Sequence, residues 1–203
     1  KLNIANGIFE GSRFWRDQAK WMKLLSNCEV DGFMSEGLFN IGGSDMGGIS
    51  YYSEDKWKKS VDFVVWIQNN FLNQTGKVYC PHSRCSEDQI PSGCTTDQMA
   101  TFVFTSLLLG IEKSQNYLSL QGAMLLDEVQ NLFKVDLGVP KGNYYLIEET
   151  HVYARDFTKV KVLVNPTDES YLVNLDGDYE TLEEQIVSFI NMEPHTGLIL
   201  NLI

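Results

Sequence analysis

Glu36 closes a short apolar run, residues 30–36, and Gly37 follows it at once. Such a run reads as a buried strand of a parallel sheet. The carboxyl ends of such strands are where open α/β sheets and barrels hold their reacting groups. A carboxyl group there can give or take a proton, and the glycine beyond it lets a ligand approach the backbone. The plainer reading of Glu36 is a solvated loop acid. Glu10 ends the run 2–9 in the same way, His82 and Arg84 follow the run 77–81, and Gln121 ends the run 116–121. Asp31 stands at the wrong end of its strand and reads as a structural hydrogen-bonding acid. Glu10 suits equally a charge at a helix N-terminus, and Asp45 a solvated loop position. His82, His151 and His195 are scattered, so neither a histidine metal site nor a Ser-His-Asp triad is indicated. No cofactor is expected. The glycine-rich stretch 40–52 has no GxGxxG spacing and no Walker lysine, and reads as a flexible wall beside a site.

Regular elements must hold these groups. The runs 2–9, 30–36, 77–81 and 116–121 predict strands. Helices between them are marked by Ser12 with Trp15, Ala19 and Met22, by Ser53 with Trp57, Val61, Val64 and Phe71 as far as Gly76, and by Thr95 opening an apolar stretch to about 112. Strand–helix units in series imply parallel strands with right-handed crossovers. From 144 the period changes. Runs at 150–157, 159–164, 171–175, 186–192 and 197–202, separated by turn residues, predict antiparallel strands. The expected class is therefore α/β over 1–143, followed by a small antiparallel β-sandwich-like module over 144–203. A doubly wound sheet is a weaker alternative that the β tail counts against.

The chain has 203 residues, 43% of them hydrophobic, enough for a sizeable core, and its formal net charge is −11. That balance excludes a nucleic-acid partner and adhesion to anionic lipid. No apolar run reaches the roughly 18 residues of a membrane span; residues 99–111 read as a buried helix. Lys1 opens straight into a core strand, which suggests a mature, processed or partial product. Cys28, Cys80, Cys85 and Cys94 have no CxxC spacing, so zinc is not indicated. Two disulfides in an oxidising compartment are expected: Cys85 with Cys94 across a loop holding Pro91 and Gly93, then Cys28 with Cys80. Four free thiols are the alternative. Asn73-Gln74-Thr75 is an N-glycosylation acceptor and suggests secretion.

Several short motifs carry a resemblance. Val30-Asp31-Gly32-Phe33-Met34-Ser35-Glu36-Gly37, Tyr153-Ala154-Arg155-Asp156-Phe157, Val162-Leu163-Val164-Asn165-Pro166-Thr167 and Pro194-His195-Thr196-Gly197 look like those of the hypothetical glycosyl-hydrolase-like family numbered fifteen. The resemblance implies the C-terminal half of a TIM-type (β/α)8 barrel, strands five to eight, plus the β domain that follows such barrels. It further implies a secreted glycoside hydrolase acting on a polysaccharide or oligosaccharide, with Glu36 as one carboxylate of a pair. His82, Arg84, Gln121 and Glu10 would bind sugar hydroxyls, and Phe39, Tyr51, Tyr52 and Trp57 could stack on a sugar ring, with packing in the core the stronger reading of Trp57. The N-terminal half of the barrel, with the second carboxylate, would be a separate chain or a further segment. A non-catalytic carbohydrate-binding or structural subunit is the competing reading.

Overall fold

The computed structural model describes residues 3–8, 11–43, 47–112, 117–123 and 127–203. Strands β1 (Ile4–Ile8), β2 (Gly32–Glu36), β5 (Val78–Arg84) and β6 (Ser119–Gln121) form a four-stranded parallel sheet in that order. Between them run α1 (Gly11–Arg16), α2 (Gln18–Asn27), α3 (Glu54–Ile67) and α5 (Thr96–Gly110). The expected α/β architecture, parallel strands first and antiparallel strands after, is what the chain adopts.

Each helix has its local cause. Ser53 precedes α3, whose first turn carries Glu54 and Asp55, acids that favour the positive helix end. The helix continues through a π-helical turn (Gln68–Leu72) into α4 (Asn73–Thr75) and stops where Gly76 takes φ +67°. Thr95 caps α5, its hydroxyl accepting the Gln98 amide at 3.1 Å. Nearly every α5 residue from Met99 to Gly110 is buried, as its apolar circumference requires. A short α6 (Asp127–Leu132) follows β6. No described helix is long and apolar enough to cross a membrane.

The glycine-rich stretch is not an unstructured wall. Its described parts are two antiparallel strands, β3 (Asn40–Gly43) and β4 (Gly48–Tyr51). Glycine is needed at 42: with φ +128° a Cβ there would stand 2.0 Å from the Gly48 carbonyl oxygen.

The C-terminal part is one curled six-stranded antiparallel sheet, ordered β11 (Ile186–Met192), β10 (Tyr171–Glu180), β12 (Thr196–Leu202), β9 (Val160–Asn165), β8 (Tyr153–Asp156) and β7 (Tyr145–Leu146). Its inner face shares the main core with the helices through Tyr153, Phe157, Val160, Val162, Val164 and Ile199. A second cluster, including Ala154, Leu163, Val173 and Leu200, fills its other face. The chain joins this sheet before β7, since the Lys159 amide donates to Leu137 and the Lys141 amide to Asp156.

Asn165 ties the sheet's turns together. It is fully buried; its Nδ2 reaches the Glu169, Met192 and Glu193 carbonyls at 2.7–3.0 Å, and its Oδ1 accepts from the Thr167 amide and hydroxyl. Buried polar groups left without partners cost about 1–3 kcal/mol each. Asn165→Ala should therefore lose about 2–3 kcal/mol, read as a fall in the urea midpoint; a change under about 0.5 kcal/mol, the usual surface range, would contradict this role.

Candidate functional site

The parallel sheet has one covered face and one open face. Along β5, Tyr79, Pro81 and Ser83 are buried, while Val78, Cys80, His82 and Arg84 between them are partly exposed. The covered face meets the helices through Phe33 on Phe71 and Tyr79 on Phe63, and the Tyr79 hydroxyl donates to Ser35 Oγ at 2.8 Å. The open face carries Asn6 and Glu36, both exposed, with His82, Arg84 and Gln121.

Register brings these groups together at the carboxyl ends. Glu36 pairs across β2 and β5 with His82, and His82 across β5 and β6 with Ser119. One row therefore holds Glu36, His82 and Ser119, about 4.8 Å apart from strand to strand. Asn6 Nδ2 donates to Glu36 Oε1 at 2.7 Å, and His82 Nδ1 lies 3.0 Å from Ser119 Oγ. Glu36 and His82 are thus each oriented by a neutral partner from an outer strand. The next row pairs Arg84 with Gln121. Asn6 and Ser119 escaped the sequence reading; the parallel register brings Ser119 beside His82, and the bond to Glu36 brings in Asn6.

Other expected residues fare differently. Arg84 is tied down: its guanidinium donates to the Gly42 carbonyl, and the buried Asn40 side chain clamps its backbone, donating to the Arg84 carbonyl at 2.7 Å and accepting from its amide. It braces β3 against β5. Phe39, Tyr52 and Trp57 are buried, so none offers a stacking surface; the Tyr52 hydroxyl donates to the Gly37 carbonyl and Trp57 Nε1 to Ser106. Asp31 is structural, as expected, accepting the Asn3 amide at 2.8 Å. Glu10 and Asp45 lie outside the described residues. Among the described residues no group of His, Cys, Asp and Glu could hold a metal ion. Asn73 is exposed.

All four cysteines are free thiols, which corrects both expected disulfides. Cys28 follows α2 and packs against the helix-side core, whereas Cys80 points to the sheet's open face. Cys94 Sγ lies 3.0 Å from the Tyr51 hydroxyl and 3.3 Å from the Thr95 carbonyl. Cys85 is buried, and burial, helped by Cys94 nearby, pushes its thiol up to about 12. Only a negligible fraction is then thiolate near neutrality. Cys85 should resist a thiol reagent at pH 8 in the folded protein. All four thiols should react in denaturant without reductant, and a lower count would contradict the free-thiol state.

No family model matches this chain, and no curated protein matches it. The geometry alone therefore has to carry the functional reading.

A second polar cluster lies between β4 and the antiparallel sheet. The His195 ring stacks on Tyr51, centroids 4.0 Å apart and planes 5° apart, and its Nε2 lies 2.8 Å from Asp168 Oδ1. His195 has φ +49°, a strained turn position for a non-glycine residue. Held this way, it pins the β11–β12 turn to β4. The sequence named no partner for His195, and only the fold supplies Tyr51 and Asp168.

Proposed function

We propose that the parallel sheet is the C-terminal half of a (β/α)8 barrel and that its carboxyl edge is half of a glycoside-hydrolase site, with Glu36 as the general acid/base. The observation that carries this reading is the row Glu36, His82 and Ser119 at the carboxyl ends, with Asn6 bonded to Glu36, on a face left open to solvent. Parallel sheets are normally covered on both faces, so a second body is expected over the open one. In this proposal it is the other half of the barrel and brings the second carboxylate. Among the described residues Glu36 is the one carboxylate in the row.

Glycoside hydrolysis needs two carboxyl groups flanking the scissile bond: an acid that protonates the leaving oxygen, and a nucleophile or base. Glu36 would supply the first. Asn6, bonded to Oε1, fixes the carboxyl plane, and His82, braced by Ser119, would hold a sugar hydroxyl. The chain's net charge of −11 suits a neutral glycan better than an anionic one. A polysaccharide substrate and the exposed Asn73 go with an extracellular setting, while the free thiols pull the other way. The test is release of reducing ends from a panel of neutral polysaccharides, by the protein joined to its completing half and by its Glu36→Gln variant.

A further inference from the structure

On the helix side of the parallel sheet, away from the open face that bears Glu36, a groove of about 850 Å³ runs between α3 and the β7 edge of the antiparallel sheet. Trp15, Trp66, Tyr144, Tyr145 and Tyr153 line it. Trp15 and Trp66 meet edge to face at 5.9 Å, and both remain partly exposed. Tyr145 is 40% exposed on the opposite wall. Three asparagines, Asn69, Asn70 and Asn143, all exposed, add amide donors and acceptors.

The charges of the groove are already matched. Lys58 Nζ pairs with Asp62 Oδ2 at 2.9 Å, Arg155 with Glu112, and Lys59 with Asp55 at 2.7 Å; the Tyr144 hydroxyl donates to Asp62. A charged ligand would have to break one of these pairs to gain its own. Asn70 Nδ2 already donates to the Trp66 carbonyl at 2.9 Å, so what stays unspent is aromatic surface and the amides of Asn69 and Asn143. Aromatic rings bury large apolar area and keep a polar handle, and a few placed polar groups then fix orientation. That combination fits a neutral ligand with apolar C–H faces and many hydroxyls.

We propose that this groove is a second binding site, for a neutral oligosaccharide, separate from the Glu36 site. It would hold the glycan chain on the outer surface while the carboxyl edge works on it. The choice of a sugar draws on the glycan reading above, but the groove does not depend on Glu36.

The test is titration of the protein with cellohexaose, xylohexaose, laminarihexaose and maltohexaose, followed by tryptophan fluorescence and calorimetry. At least one should give a saturable signal, and the Glu36→Gln variant should bind it as wild type does. Trp66→Ala should weaken binding about tenfold or more, a change equal to about 1.4 kcal/mol. Because Trp66 also packs on Phe14 at 4.9 Å, Asn69→Ala, an exposed change beyond the end of α3, serves as the second variant and should also weaken it. Saturable binding by this protein, with no hydrolysis once it is joined to its completing half, would remove the catalytic reading and leave the groove standing. Absence of saturable binding by all four sugars would overturn the groove. So would binding unaltered in both groove variants, or lost only in Glu36→Gln.

Discussion

Arg155→Leu should lower the unfolding free energy by about 3–5 kcal/mol, the usual cost of removing one partner from a buried charge pair. Arg155 sits on β8 with its side chain 1% exposed. Its Nη1 donates to the carbonyls of Leu108, Leu109 and Ile111 at 3.2, 3.0 and 2.7 Å, its Nε donates to Gly142 at 3.0 Å, and its Nη2 pairs with Glu112. The last carbonyls of a helix have no partner within it, and the C-terminus carries partial negative charge. One guanidinium therefore answers the open end of α5, a carboxylate and the segment that leads into the antiparallel sheet. It is the polar bolt between α5 and the antiparallel sheet. Leucine would leave all of these groups stranded. Lysine would keep the charge without the planar fork, so Arg155→Lys should fall between wild type and Arg155→Leu. Urea unfolding of the three proteins reads the order directly. A loss below about 1 kcal/mol in Arg155→Leu would mean that the bonds count for little against solvent.

Some of this could be read from the residues alone. Thr95 followed by a largely apolar stretch from Met99 marked α5 almost to its last residue. Alternating runs with clear turn residues placed β8 to β12 within a few positions. Glu36 was placed at a strand's carboxyl end because a short apolar run followed by glycine leaves little choice. What could not be read was long-range register. Asn6 lies thirty residues from Glu36, and Ser119 thirty-seven from His82, and no local pattern pairs them. The β3–β4 hairpin was missed because Gly42, Gly43 and Gly48 show no alternation of side chains. Arg155 and Asn165 sit in strands that carry a second polar residue, Asp156 and Lys161, where period predicts a face but not which polar residue turns inward. The cysteines were misjudged because an even count says nothing of direction, and Cys28 and Cys80 lie on opposite faces of the sheet.

Glu36 carries the proposed chemistry. Its exposure and its bond to Asn6 leave the carboxyl group accessible and oriented. General acid/base assistance is worth about 10²–10⁴ in rate. Glutamine keeps the shape and can still meet Asn6, but it cannot deliver a proton. In the completed site the spacing of the two carboxyl groups sets the outcome, with about 5–5.5 Å giving retention and about 6.5–9.5 Å inversion. The deciding measurement is the rate of reducing-end release from the most responsive polysaccharide, wild type against Glu36→Gln, each joined to the completing half, with urea midpoints taken on the same samples. The expected result is a fall of about 10²–10⁴ with the midpoint unchanged. Equal rates in the two proteins would contradict it.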